Sequence, residues 1–320
     1  MKIGTRGSAL ALWQARHVAD RLRAAGHAAE IVTFTTKGDR ILDVPLAEIG
    51  DKGLFTAELD RALLAGAIHL AVHSLKDLPT TLPEGLVLAA TTERASPWDA
   101  FVAHPDVRGS LDGLPEGATL ATSSLRRQAQ LLAWRPDLRV VPVRGNVPTR
   151  LAKLDASGPP KSGGWHGVIL AAAGLERLGL EDRIRERIDP AVMLPAVGQG
   201  ALGIVCAEGD TETARTLASA LDHPDTAAAA TAERAFLRRL EGGCQVPVAA
   251  WARLEAGTLM LDGAVASLDG AAHLRDAASG TSAEAGALGT ALAERMLDAG
   301  AGAILGAIRE TSKAQTGRDA

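Results

Sequence analysis

The sequence predicts an α/β protein: two α/β units, the first on a largely parallel sheet, followed by a small α+β module. Three observations carry this prediction. Strand-like and helix-like stretches alternate from Lys2 to about Cys206. After about Asp222 the pattern changes to one helix, three short strands and a closing helix. A chain of 320 residues is also too long for one ordinary domain and suits two or three.

The elements come in this order. Lys2 to Thr5 reads as a short strand, and the polar turn Arg6-Gly7-Ser8 leads into a helix from about Ala9 to Ala25, with Gly26 as its C-cap. A strand near Glu30 to Thr35 precedes a loop rich in Gly and Asp. A second helix is expected from about Leu54 to Ala65, with Phe55, Leu59, Ala62 and Leu63 on one face. Ile68 to His73 is a buried strand ending at Ser74. The second unit begins near Trp98. It contains a strand near Thr119, a helix over Leu125 to Trp134, a strand over Leu138 to Val143, a helix near Thr149 and a strand over Gly167 to Ala171. Ser157 to Gly164 is rich in Gly, Pro and Ser and reads as a mobile surface loop. The strand Ala201 to Cys206 returns the chain to the first unit. In the last module a helix over Thr226 to Leu240 ends at Gly242-Gly243. Strands come next near Val246–Leu254, Leu259–Ser267 and His273–Ala278, with turns at Ala256-Gly257 and Asp269-Gly270, and a helix over about Ala283 to Ala299 closes the module.

Composition narrows the function classes. With 47% hydrophobic and 22% charged residues a sizeable core is expected. A net charge of −4 argues against general nucleic-acid binding. No apolar stretch follows the first basic residue as a signal peptide would, and the longest apolar run, around Val168 to Ala173, falls far below membrane-spanning length. Cys206 and Cys244 make no disulfide framework, and the eight His show no metal-ligand spacing. The expectation is a reduced, cytoplasmic protein, monomeric, with no metal, nucleic-acid or membrane partner.

The strongest constellation lies between Thr122 and Arg150. Thr122-Ser123-Ser124 offers hydroxyls at a helix start, where Ser and Thr are ordinary N-caps. Arg126 and Arg127 follow at once, although the helix dipole disfavours cations at that end. An anion at the helix N-terminus would resolve the conflict. Arg144 follows a strand end and Arg150 opens the next helix. Arg126, Arg127, Arg135, Arg139, Arg144 and Arg150 face a single acid in this stretch, Asp137. A basic solvated face in an Arg-rich chain is the competing reading. Strand ends and helix starts are, however, where α/β sheets bind ligands. His73-Ser74-Leu75-Lys76-Asp77-Leu78-Pro79 ends another strand. Nearby cations should keep Asp77 ionised, able to stabilise a developing cation or pass a proton; an Asx turn before Pro79 is the alternative. Arg6 and Ser8 mark a third strand-to-helix turn, and Lys52 and Phe55 begin the second helix, where core packing is the plainer role for Phe55. Gly242-Gly243 before Cys244 leaves its sulfur open, and nearby Arg would favour a thiolate. Cys206, in an apolar strand, reads as a small buried hydrophobe. Gly198-Gln199-Gly200-Ala201-Leu202-Gly203 matches a dinucleotide fingerprint in form only, because a strand and not a helix follows it.

Ile3-Gly4-Thr5-Arg6-Gly7-Ser8-Ala9-Leu10-Ala11-Leu12, His73-Ser74-Leu75-Lys76-Asp77, Thr122-Ser123-Ser124-Leu125-Arg126-Arg127, Arg144-Gly145-Asn146-Val147, Leu194-Pro195-Ala196-Val197-Gly198-Gln199-Gly200 and Glu241-Gly242-Gly243-Cys244-Gln245-Val246-Pro247 resemble the porphobilinogen deaminase family, in the family's order and across almost the whole chain. The one departure is the extended stretch Ser157–Gly164, which touches no motif. The resemblance implies two α/β domains like type II periplasmic binding proteins, residues 1–94 with 200–218 and residues 98–195, and a small α+β domain over 222–320. It implies a dipyrromethane cofactor held through a thioether at Cys244 and contacted by Ser8, Lys76, Asp77, Thr122, Ser123, Ser124, Arg126, Arg127 and Arg144. It implies a porphobilinogen site at Arg6, Lys52, Phe55, Arg144, Arg150, Arg177 and Gln199, with Asp77 catalytic. Four porphobilinogens would be deaminated, joined head to tail on the primer and released by hydrolysis as hydroxymethylbilane. The chemistry suits the residues. Each ring brings two carboxylates, and charge-assisted hydrogen bonds contribute about 1.5–3 kcal/mol each. The competing function is a non-catalytic small-anion-binding protein on the same two-domain architecture, in which Cys244 would have no role.

Overall fold

The computed structural model describes residues 1–36, 56–240 and 246–316, with side chains through residue 310. The chain runs β1 (Lys2–Arg6), α1 (Ala9–Ala24), β2 (Glu30–Phe34), α2 (Ala57–Leu64), β3 (Leu70–Ser74), β4 (Leu86–Thr91), β5 (Asp99–Ala103), β6 (Thr119–Ala121), α3 (Leu125–Trp134), β7 (Arg139–Val141), α4 (Val147–Asp155), β8 (Gly167–Ala171), α5 (Ala172–Glu176), β9 (Glu186–Arg187) and β10 (Leu202–Ala207). It continues with α6 (Thr211–Leu221), α7 (Pro224–Arg239), β11 (Val248–Glu255), β12 (Thr258–Ala266), β13 (His273–Gly280), α8 (Ala285–Met296) and α9 (Gly302–Thr316).

The described strands form three sheets. The first has the order β2-β1-β3-β10-β4 and the second β7-β6-β8-β5-β9. In the first, β1 pairs in parallel with β2 and β3, while β10 runs antiparallel to β3 and β4. The second repeats this plan: β6 is parallel to β7 and β8, and β5 is antiparallel to β8 and β9. The largely parallel sheet expected of the first unit is therefore mixed, and so is its counterpart in the second. The physical reason lies in two crossovers. The chain leaves the first sheet at edge strand β4 and enters the second as β5; it leaves at β9 and returns as β10. A strand that arrives from another sheet has no βαβ handedness to obey and can run against its neighbours. The result is a pair of α/β units built on the same sheet plan, followed by an antiparallel β11-β12-β13 sheet packed on α7 and α8.

Alternation along the strands builds the cores. Leu70 and Val72 pack with Ile3, Leu202, Ile204 and Cys206 against α1 and α6 on one face of the first sheet, and Ala71 and Val205 pack against α2 on the other. Cys206 is fully buried and its thiol is pushed up by burial, as expected of a structural Cys. The strand β10 after Gly198–Gly200 excludes the dinucleotide reading. Strands β4, β5 and β9 and helices α5, α6 and α9 are additions to the sequence expectation. Ser157–Gly164 lies at the surface around one 3-10 turn, Pro160–Ser162.

The helices that face the cleft start on polar caps. Ser8 accepts from the Ala11 amide, Ser124 from Arg127 and Asn146 from Thr149. Two glycines are demanded by geometry. Gly145 has φ +115°, and Gly200 has φ +93°, where a Cβ would stand 2.5 Å from the Ala95 carbonyl of the other crossover.

Candidate active site

Strand ends from both sheets converge. The 3-10 turn Leu75–Asp77 after β3 presents Lys76 half-buried and Asp77 exposed. From the second sheet, the start of α3 brings Arg126 and Arg127, the β7–α4 turn brings Arg144 and the first turn of α4 brings Arg150. Lys76 interacts electrostatically with Arg127, Asp77, Asp99 and Arg126, and Arg150 with Arg127, Asp77 and Arg144. Gln199, on the second crossover, accepts from Lys76 Nζ at 3.3 Å. These residues, singled out in sequence from four separate motifs, are thus gathered in one place.

The anion inferred at the start of α3 is provided within the chain by Asp99, the first residue of β5. Its Oδ1 accepts from Arg127 Nη2 at 2.7 Å, Arg127 Nε at 3.0 Å and Gln199 Nε2 at 3.0 Å, and its Oδ2 lies 2.8 Å from Arg126 Nη1. Burial alone would raise the Asp99 carboxyl; the two guanidiniums overcome this and hold it well below the usual carboxylate range. Arg126 also donates to Leu194 O at 2.6 Å and Arg127 to Ile169 O at 3.0 Å. Both arginines are nearly fully buried and anchored from beneath. Asp99 is the residue that sequence reasoning missed. The available signal was a lone acid opening the apolar strand Asp99-Ala100-Phe101-Val102-Ala103.

The hydroxyls have structural duties. Ser123 Oγ donates to Val143 O at 2.9 Å and accepts from Val143 N at 3.0 Å. Thr122 Oγ1 accepts from Ser124 N at 3.2 Å. Ser8 and Ser124 accept at their helix starts, and a hydroxyl that accepts in a cap keeps its own proton to donate. Arg150 Nε donates to Gly145 O at 2.8 Å. Arg6 at the end of β1 acts electrostatically on His73. Arg177 reaches Gly200 O at 2.6 Å and lies over the Trp13 ring at 5.6 Å, so its contacts are to α1 and the second crossover. Arg135 pairs with Asp137 on the surface. Lys52, Phe55 and Cys244 lie outside the described residues.

The electrostatics call for an anionic ligand. Lys76, Arg126, Arg127, Arg144 and Arg150 are five cations set against the carboxylates of Asp77 and Asp99. Burial, with help from Arg127, brings Lys76 down to about 8, and burial brings Arg150 down to about 10. Approaching carboxylates would offset that desolvation. A donor set of this composition fits a dipyrromethane group, which carries a carboxylate pair on each ring.

Fold and site together define a two-sheet α/β protein with a cluster of cations where the sheets meet. Residues 1–215 match the family model for the porphobilinogen deaminase dipyromethane cofactor binding domain, and residues 227–298 match that for the porphobilinogen deaminase C-terminal domain. Porphobilinogen deaminase from Moorella thermoacetica is 53% identical over 320 residues, covering 99% of this chain and 98% of its own. That of Desulforudis audaxviator is 55% identical over 309 residues, covering 96% and 97%. A nutrient-binding protein from Burkholderia cenocepacia aligns over 69% of this chain and 90% of its own at 14% identity and a TM-score of 0.40. The chain belongs to the porphobilinogen deaminase family. It carries the dipyrromethane cofactor of that family and serves tetrapyrrole and haem biosynthesis. The relatives give no support to the reading as a non-catalytic anion-binding protein. Among the described residues no helix is long and apolar enough to cross a membrane, and no cluster of His, Cys, Asp and Glu could hold a metal ion.

Proposed function

We propose that Asp77 is the catalytic carboxylate and that the cations around it hold the acetate and propionate groups of substrate and primer. The observation that carries this is the convergence of Asp77 and Lys76 from one sheet with Arg127 and Arg150 from the other. A dipyrromethane held at Cys244 would supply the nucleophilic pyrrole end on which the chain of porphobilinogen units starts. Loss of ammonia leaves an electron-poor substrate ring, and coupling places positive charge on ring nitrogen. The exposed Asp77 carboxylate is suited to stabilise that charge and to hold the transferring proton. Lys76 and Arg126, Arg127, Arg144 and Arg150 bind carboxylates, with Ser8, Thr122, Ser123 and Ser124 at the helix starts. Arg6, Lys52, Phe55, Arg177 and Gln199 complete the substrate cleft. Tethering makes every coupling effectively intramolecular.

The three sheets support a division into residues 1–94 with 200–218, 98–195 and 222–320. A cytoplasmic monomer acting on porphobilinogen, without nucleic acid, is the form in which this reading has the protein work. The test is Asp77→Asn. Porphobilinogen consumption should fall by about 100-fold or more while circular dichroism is unchanged. A normal rate in that variant would remove Asp77 from the mechanism.

A further inference from the structure

Asp77 stands on a slender support. Its 3-10 turn spans three residues and closes with one backbone bond, Leu78 N to Leu75 O at 3.2 Å. The segment after Asp77 is held by another part of the chain. Arg234 Nη2 donates to Pro79 O at 2.7 Å, with Nη1 at 3.5 Å from Leu78 O, and Arg238 Nη2 donates to Thr80 O at 2.7 Å. Both arginines belong to α7, one turn apart on the same face. They take three successive carbonyls directly after Asp77.

The preceding residue of α7 holds the other side of the cleft. Glu233 is fully buried and accepts from Arg94 Nη1 at 2.6 Å and Nη2 at 3.2 Å, from Gly198 N at 2.6 Å and from Ala252 N at 2.7 Å. Arg94 lies on the first crossover and also donates to Gln199 O at 2.8 Å. Gly198 is on the second crossover, next to Gln199, which joins Lys76 to Asp99. Consecutive residues of one helix therefore fix the loop that carries Asp77 and the crossover that carries Gln199.

We infer that Arg234 and Arg238 are positioning residues: they set Asp77 against the arginines and Gln199 of the opposite wall. The inference rests on the assignment of Asp77 as the catalytic carboxylate. The competing role is plain adhesion of the third module to the first, and the two differ in what a substitution moves. A carboxylate displaced by about 1 Å loses rate without losing ligand affinity to the same degree.

The test uses the full chain, with cofactor loading checked by intact mass, in Arg234→Ala, Arg234→Lys and Arg238→Ala. For Arg234→Ala we expect loading to persist, kcat to fall about 10- to 100-fold and KM for porphobilinogen to stay within about threefold. Amide exchange over residues 75–80 should speed up. Arg234→Lys, which keeps one donor, should recover part of both losses. If Arg234→Ala does not fold, Arg238→Ala, which leaves the buried arginine in place, should show the same split in kcat and exchange at smaller size. An unchanged kcat with a lowered melting temperature, or unchanged exchange over 75–80, overturns the inference. Asp77→Asn separates the two claims. If that variant is inactive while the arginine variants keep full kcat, the positioning role alone fails; if it turns over normally, the catalytic assignment fails and the inference falls with it.

Discussion

Where the two sheets meet, Asp99 accepts from Arg127 and Gln199 and pairs with Arg126, all of them buried. Replacing it by Asn would leave two buried guanidiniums without their anion. Breaking a buried pair from one side costs about 3–5 kcal/mol. Denaturant unfolding of Asp99→Asn should show a loss of that order, together with weaker turnover; a midpoint equal to that of the parent protein would mean that solvent or another group already neutralises the arginines. Residues were legible in the sequence to the extent that their type was unusual for their place. Arg126 and Arg127 stood out because cations oppose a helix N-terminus, and Lys76 and Asp77 because they close an apolar strand. Asp99 was not legible, because only the antiparallel seating of β5 beside β8 carries it under α3.

Strand β3 carries His73 in its interior, just ahead of the turn that bears Asp77. Burial, and next the charge on Arg6, lowers its imidazole from 6.5 to about 4. Between those values the unfolded chain takes up a proton that the folded chain refuses. The stability that His73 contributes is therefore complete above about pH 6.5 and is lost as pH falls toward about 4. The slope of stability against pH between 6.5 and 5 should be shallower in His73→Gln than in the parent; equal slopes would assign acid sensitivity elsewhere. Helix packing gives a second expectation at this scale. A Cβ on Gly289 of α8 would lie 2.1 Å from the Ala232 carbonyl of α7. Gly289→Ala should force these helices apart and cost about 1–3 kcal/mol by thermal melting; an unchanged melting temperature would contradict that contact. Element type read well from periodicity: α3 and β8 fall at the expected residues. Strand direction did not, since it is set by the crossovers and not by any local pattern.

The whole molecule repeats one sheet plan twice and threads the chain between the copies at 92–98 and 188–201. The crossovers meet where Ala95 N donates to Gly200 O at 3.2 Å, and Glu233 of α7 grips both. The crossovers and the third module are thus joined through one buried carboxylate. The cationic cluster is proposed to hold a covalent dipyrromethane anchored at Cys244. Intact mass spectrometry of the protein made in cells that produce porphobilinogen tests it most directly. The expected mass exceeds that of the bare chain by two condensed porphobilinogen units, and Cys244→Ser should show the bare-chain mass. A bare-chain mass for the parent protein, or a retained adduct in Cys244→Ser, would contradict it.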